Sequence, residues 1–184
     1  RVDTTDEQLD GDLVARALKA IVEKEKPDVV LLGKQAVDGD NNQVAQLLAE
    51  YLDWPQATFA ATIEEEAGAL LVGREVDGGV AKLRVKLPAV VSVDLRIVAG
   101  NSVYSTKTAK TFKYNDGVRF AALPAIMAAK KKPLVEHKLA ELASDTALKV
   151  SYSTYSAPPA RKAGIKVKDV AELVNKLATE AKVL

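Results

Sequence analysis

Residues 28–44 read DVVLLGKQAVDGDNNQV. The opening DVVLL is a short, unbroken apolar run that closes on Gly33. Such a run suits a parallel strand buried on both faces. From Lys34 to Gln43 the chain is mostly polar. Val44, Leu47, Leu48, Tyr51 and Leu52 then recur at helical spacing, which predicts a helix over about 43–52 with one apolar face. Asn41 or Asn42 can cap that helix, and DWP at 53–55 stops it. Strand, loop and helix in this order make an α/β unit, and its polar loop is the segment to explain.

Upstream, Thr5 and Gln8 have the spacing of a capping box. Leu13, Val14, Ala17, Leu18 and Ile21 predict a helix that ends at Pro27. The strand at 28–32 has no obvious parallel neighbour upstream or immediately downstream. We therefore expect the intact protein to carry roughly one or two further βα units before Arg1, at ~30 residues for each βαβ. The first residue is Arg1 rather than Met, as in a processed or fragmentary chain.

Downstream of Trp54, for which core packing is expected, the period changes from helical to two. Residues 58–63 lead to a turn at EEEAG, residues 70–76 to a turn at DGG, and residues 80–87 complete an antiparallel meander. Leu83, Val85 and Leu87 fall on one face; Lys82, Arg84 and Lys86 fall on the other. No aromatic residue interleaves these cations, so they read as a solvated strand face and not as a nucleic-acid stripe. After Pro88, AVVSVDL is a second buried-strand candidate that can return beside 28–32. Residues 99–122 have little periodicity and read as a long surface loop. Leu123 to Met127 open a short helix with Pro124 in its first turn, ended by AAKKKP. SAPPARKAG is an extended linker to a last amphipathic helix, about 168–181, with Val170, Leu173, Val174 and Leu177 on its apolar side. That side needs a surface to dock on.

Composition excludes several chemistries. The 184 residues carry 48% hydrophobic and 28% charged residues with net charge +1, so no global field points to nucleic acid or membrane. No cysteine is present, which removes disulfides, thiolate metal sites and a Cys nucleophile. The single His137 lies in a lysine-rich tail, is expected to be solvated, and supports neither a triad nor a metal site. No apolar run approaches the ~20 residues of a membrane span. Glu64, Glu65 and Glu66 read as a solvated turn, and Asp94 and Arg96 as a local ion pair.

The polar loop is the best chemical candidate. It sits at the carboxyl end of a strand and the amino end of a helix, where open α/β sheets take ligands and where helix N–H groups favour an anion. Gly33 and Gly39 permit close approach; Lys34 adds a cation; Gln35, Asn41, Asn42 and Gln43 add amides. Asp38 and Asp40 would repel a triphosphate but suit ribose hydroxyls, or a monophosphate held by backbone. The pattern is neither GxxxxGK[ST] nor GxGxxG. On the residues alone it serves equally as a nucleotide loop or as an ordinary βα loop.

The stretches VVLLGKQAVDGDNNQVAQLLAEYLDWPQATFA, REVDGGVAKLRVKLPAVVSVDLR, LPAIMAAKKKP and PPARKAGIKV resemble the β subunits of electron transfer flavoproteins of the AMP-containing type. The resemblance runs from about Asp12 to the C-terminus, apart from the loop after Arg96. It implies a three-layer open sheet of the adenine-nucleotide-hydrolase-like, Rossmann-like kind, with an antiparallel hairpin extension and a C-terminal arm. It implies a nucleotide-binding domain over 1–150 and an arm over 151–184. It further implies an electron carrier rather than an enzyme: a heterodimer with an α subunit that holds most of the FAD, and structural AMP in the β subunit. The partners implied are acyl-CoA and related dehydrogenases and a membrane-bound electron transfer flavoprotein–ubiquinone oxidoreductase. The location implied is the mitochondrial matrix in a eukaryote or the cytoplasm in a bacterium.

By position, the resemblance places AMP on Gly33, Lys34, Gln35, Ala36, Val37, Asp38, Gly39, Asp40, Asn41, Asn42, Gln43 and Val44. Val44 stands where the family commonly has a hydroxyl residue, which removes one phosphate contact. Other AMP contacts, and some near the flavin, would come from an amino-terminal part outside these 184 residues. A partner-recognition segment, about 111–134, would present Leu123 and Pro124 as an anchor, with Ile126, Met127, Lys130 and Lys131 beside it. Ala128 occupies one of two positions where animal members carry a methylated lysine. The stretch 97–120 is longer than is usual in the family. Two other readings stay open: a stand-alone adenine-nucleotide-binding regulatory module, and a bifurcating relative with a second FAD in place of AMP.

Overall fold

The computed structural model describes residues 1–106, 117–118, 120–161 and 163–184. The chain divides into two units, Arg1–Ser151 and Tyr152–Leu184.

The first unit begins with a two-residue strand, β1 (Val2–Asp3), and a 3-10 turn at Asp6–Gln8. Helix α1 is Gly11–Glu25. Its cap is Asp10, whose carboxylate accepts the Leu13 N–H at 2.8 Å. Thr5 and Gln8 instead close the 3-10 turn, so the expected capping box belongs to that turn and not to the helix. Lys26 in a left-handed conformation ends α1 just before Pro27. Strand β2 (Val29–Gly33) comes next, then helix α2 (Val44–Leu52). The residue at the cap of α2 is Gln43, not Asn41 or Asn42. Asp53 turns left-handed to end it.

The meander is β3 (Gln56–Glu66), β4 (Ala69–Val76) and β5 (Gly79–Lys86), antiparallel as expected. Glu64, Glu65 and Glu66 lie within β3, because the turn closes one step later at Ala67–Gly68. Glu66 there pairs with Arg84 across the sheet at 2.7 Å. Strand β6 (Ala89–Val93) returns between β2 and β3 and is parallel to both. Val29 faces Ala89 in register, and Gly33 faces Val93. The sheet order is β2-β6-β3-β4-β5, and β7 (Val103–Tyr104) adds a short parallel pairing to β3. The result is a mixed open sheet flanked by helices, in the α/β class that the sequence implies.

Two cores hold this unit. Ala15 of α1, Ala45, Leu48 and Ala49 of α2 and Val90 of β6 form one, with Tyr51 and Trp54 packed against it. Trp54 therefore has the packing role expected of it. The other is made by the strands: Ala57 and Ala60 of β3, Leu70 and Val72 of β4, Val85 of β5, Ala89 and Val91 of β6. Fully burying one such aliphatic side chain stabilises by roughly 1.5–3 kcal/mol. The expectation that β2 is buried on both faces is corrected. Among the described residues β2 pairs with β6 alone, and Leu31 on one face is 60% exposed.

After β6 a 3-10 turn at Leu95–Val98 opens the long loop, of which 107–116 and 119 lie outside the described residues. Helix α3 is Leu123–Ala129, with Pro124 in its first turn. Lys130 caps it and Lys131 and Lys132 come after, so the lysine run starts at the helix end and not in its last turn. Strand β8 (His137–Lys138) pairs with β1, and α4 (Leu139–Leu142) succeeds it directly. His137 is partly buried by this pairing, not solvated; its Nδ1 lies 3.9 Å from Glu141.

In the second unit, residues 152–161 and 163–167 carry no regular structure, and the rings of Tyr152 and Tyr155 stack at 5.7 Å. Helix α5 (Val170–Thr179) is capped by Asp169, which accepts the Glu172 N–H at 2.8 Å. Val170, Leu173 and Val174 on its apolar side are exposed. Among the described residues, no helix is long and apolar enough to cross a membrane.

Candidate functional site

The loop from Gly33 to Gln43 leaves the carboxyl end of β2, beside the parallel carboxyl end of β6, and enters α2. Its shape is set by short-range polar contacts. A turn spans Val37–Gly39, and the Asp40 N–H closes it on Ala36 O at 3.0 Å. Asp38 Oδ1 accepts the Gly39 N–H at 2.8 Å. The Gln35 amide donates to the carboxylate and carbonyl of Asp40. Asp40 and Asn42 both have left-handed backbones, φ 52° and 48°, which short polar side chains tolerate better than most. Apart from Lys34 and Asn42, which are partly buried, residues 33–43 are exposed.

Where the loop meets α2, Gln43 packs against the start of α1. A Cβ on Gly11 would stand 3.1 Å from Gln43 Oε1, so glycine there lets the two helix starts approach. Among the described residues no side chain caps α2. In its first turn Gln46 donates to Asn42 Oδ1 at 3.3 Å, while Gln46 Oε1 is buried without a partner among the described residues.

These features fit an adenylate in kind. An uncapped helix start suits a phosphate. A Cβ at Gly33 would meet nothing within 4 Å, and one at Gly39 only Asn41 Nδ2 at 3.7 Å, so the turn is open to close approach. The orphaned Gln46 acceptor calls for a donor such as a hydroxyl.

Lys34 has a different setting from that of a free phosphate ligand. Its ammonium pairs with Asp94, just past the end of β6, and lies 5.8 Å from the centre of the Phe59 ring. This pairing holds the Asp94 carboxyl below the usual carboxylate range, helped by the Arg96 N–H. Asp94 and Arg96 are thus not a local ion pair. Arg96 instead joins Glu75 of β4, because the 3-10 turn after Asp94 sends the two side chains to different neighbours. Sequence reasoning missed the roles of Asp94, Phe59 and Gln46. Only Asp94 carried a signal, as a charge at the end of a buried strand.

A second polar cluster ties the tail of this unit to α1. Buried Asp12 accepts from Tyr51 and from Arg16 and Lys149, at 2.7 and 2.9 Å for the last two. The Tyr51 hydroxyl, then Lys149 and Arg16, hold its carboxyl down at about 2. A cleft of about 510 Å³ lies at the other end of β2 and β6, among Val22, Pro27, Trp54 and Pro88, away from the loop.

The expected partner anchor is exposed. Leu123 is 71% exposed, and Ile126 and Met127 are also open on α3, with Pro124, Lys130 and Lys131 exposed beside them. Residues 111–116 and 119 of that segment lie outside the described residues.

With this geometry in view, comparison with known proteins is decisive about family. The family described as electron transfer flavoprotein domain matches residues 3–142. The chain belongs to that family. It is 44% identical over 171 residues to the electron transfer flavoprotein subunit beta of Bradyrhizobium diazoefficiens, covering 93% of this chain and 61% of that protein. It is 46% identical over 164 residues to the human electron transfer flavoprotein subunit beta, covering 89% and 57%. It is 38% identical over 173 residues to the mitochondrial subunit beta of Arabidopsis thaliana, covering 93% and 62%. The chain thus spans about three-fifths of the length of these curated relatives of the family.

Proposed function

We propose that this chain serves as the β-type subunit of a heterodimeric electron transfer flavoprotein. In this reading it is a scaffold and docking subunit, not a self-contained enzyme. The loop Gly33–Val44 grips AMP as a structural ligand, with the backbone at the head of α2 facing the phosphate and the Asp38–Asn42 side chains facing sugar hydroxyls. A companion α subunit holds most of the FAD, which supplies the redox chemistry. Leu123 and Pro124 dock acyl-CoA and related dehydrogenases, and electrons pass on to the electron transfer flavoprotein–ubiquinone oxidoreductase. The setting is fatty acid and amino acid oxidation, in the mitochondrial matrix of a eukaryote or the cytoplasm of a bacterium.

The observation that carries this reading is the place of the loop. In a chain of this family, it sits outside the carboxyl ends of parallel strands and opens a helix that no side chain caps among the described residues. The test is co-expression of the full-length chain with its companion subunit. A yellow heterodimer that releases one FAD and one AMP on acid treatment is expected. Two FAD and no AMP, or a colourless monomer, would overturn the reading.

A further inference from the structure

Lys34, the second residue of the nucleotide loop, is fastened from three sides. The Lys34 N–H donates to Val93 O at 3.1 Å, which extends the β2–β6 pairing by one step. Its ammonium pairs with Asp94, a buried carboxylate whose other oxygen accepts the Arg96 N–H at 2.9 Å. The same ammonium lies 5.8 Å from the Phe59 ring centre, within reach of a cation–π contact.

Phe59 is held in an unfavourable conformation to make this contact. Its φ is 58°, a left-handed backbone that a bulky side chain rarely adopts. It sits where the register of β3 against β6 slips, between Ala57 and Ala60, and a second slip, against β4, follows between Ala60 and Thr62. The bulge is braced on both sides. Fully buried Ser92 accepts the Phe59 N–H at 3.2 Å, and Arg74 grips both Thr58 O and Thr58 Oγ1 at 2.7 Å. Strain of this kind persists only where surrounding contacts over-determine it, and it concentrates at ligand clamps. Here it brings an aromatic ring beside the lysine near the start of the loop.

We infer that Asp94 and Phe59 are positioning residues for the nucleotide site: they hold Lys34 as a strap that fixes the 33–43 loop against the ends of β6 and β3. The inference rests on the adenylate reading of that loop. Lys34 then spends its charge on loop placement, and phosphate contact falls to the backbone ahead of α2. This explains how a loop with two acidic side chains and little burial of its own presents a fixed set of donors. Preorganisation of this kind lowers the ordering cost of binding.

The test uses the full-length chain purified with its companion subunit, stripped of nucleotide and titrated with AMP. Asp94→Asn keeps an acceptor for the Arg96 N–H but removes the charge. It is expected to weaken AMP binding about tenfold, as is Lys34→Gln, since each loses one charge-assisted contact. The double variant should be no weaker than either single, because both remove one strap. Phe59→Leu keeps the bulge, loses the ring and should fall between wild type and Asp94→Asn. Amides of 33–43 should exchange hydrogen faster in Asp94→Asn while those of β4 and β5 keep their rates. Wild type that binds no AMP overturns the nucleotide reading and this inference together. Wild type that binds AMP while Asp94→Asn binds equally well, or a double variant with the summed loss of the singles, overturns this inference alone.

Discussion

Lys149 donates its ammonium to Asp12 at 2.9 Å, joining positions 137 residues apart in the chain. The contact does not stand alone. Asp10, the cap of α1, also accepts the backbone N–H groups of Lys149 and Val150, at 2.6 and 3.1 Å. Two carboxylates at the start of one helix thus fasten the segment that ends the first unit, and Arg16 adds bonds to the carbonyls of Asp145 and Ala147. The Asp12 carboxyl is the hub, with Tyr51, Arg16 and Lys149 converging on it.

This hub makes stability acid-sensitive in a defined window. The Asp12 carboxyl is held at about 2, below its ordinary 3.8. A depressed carboxyl stabilises the folded state fully above the unfolded value and loses that contribution as pH falls through the folded one. The contribution is therefore present at pH 5 and above and fades between about pH 4 and about pH 2. Asp12→Asn should cost about 2 kcal/mol at pH 6 and much less at pH 2.5, relative to wild type. Urea midpoints of both proteins at the two pH values check this. An equal cost at both would show that the charge at Asp12 contributes nothing.

Gly73 tests the close packing of the meander. A Cβ built on it would overlap Thr62 Oγ1 on the neighbouring strand and press on Val80 Cγ1 at 3.3 Å. Gly73→Ala should destabilise by about 0.5–1.5 kcal/mol, the cost of pushing the exposed Thr62 side chain off its rotamer. Thr62→Ala in the same chain should recover part of that loss by removing the hydroxyl. Thermal unfolding of the two single variants and the double measures it, and a Gly73→Ala protein as stable as wild type would contradict the packing.

Much of the fold was legible because period is a local property. The apolar faces of α1 and α2 and the alternation of β5 are each written in a few adjacent residues. AVVSV, unbroken, identified β6 and its place beside β2. The illegible features depend on non-local partners. Thr5 and Asp10 are both good caps, and only the start of α1 at Gly11 decides between them. The 60% exposure of Leu31 depends on what covers its face of the sheet, which an apolar run cannot reveal. In the candidate site, the glycines, amides and acids of 33–43 were visible as a motif. The Lys34–Asp94 pair was not, since it spans 60 residues and depends on the register of β2 with β6. Nor was Phe59, whose left-handed backbone arises from a bulge that an alternating sequence does not announce.

Gly39 is the position where charge alone can be tested. Its surroundings leave room for a side chain, with only Asn41 Nδ2 near at 3.7 Å, and Gly39 is not among the left-handed glycines. Gly39→Asp should therefore fold normally, yet set a third carboxylate beside Asp38 and Asp40, adding negative charge close to the proposed anionic ligand. AMP content of the purified heterodimer, read by mass spectrometry, should fall at least tenfold while the melting temperature of the nucleotide-free form stays unchanged. Full AMP retention would place the phosphate elsewhere.

Leu123 separates docking from stability. It is largely exposed at the first turn of α3, so truncating it removes little buried surface; surface changes of this kind usually fall within about 0.5 kcal/mol. If it inserts into an apolar pocket on a dehydrogenase, the loss appears only in the encounter between proteins. A central apolar anchor at an interface typically contributes about 1–2 kcal/mol or more, which corresponds to a loss of roughly tenfold. Leu123→Ala in the assembled heterodimer should therefore slow electron acceptance from an acyl-CoA dehydrogenase about tenfold, with an unaltered flavin spectrum and melting temperature. Lys131→Ala, on the exposed run after the helix, should change the rate less and mainly at low salt, because a rim charge steers association without anchoring it. An unchanged rate for Leu123→Ala at both low and high salt would remove the anchor from α3 and leave its exposed apolar side chains without this role.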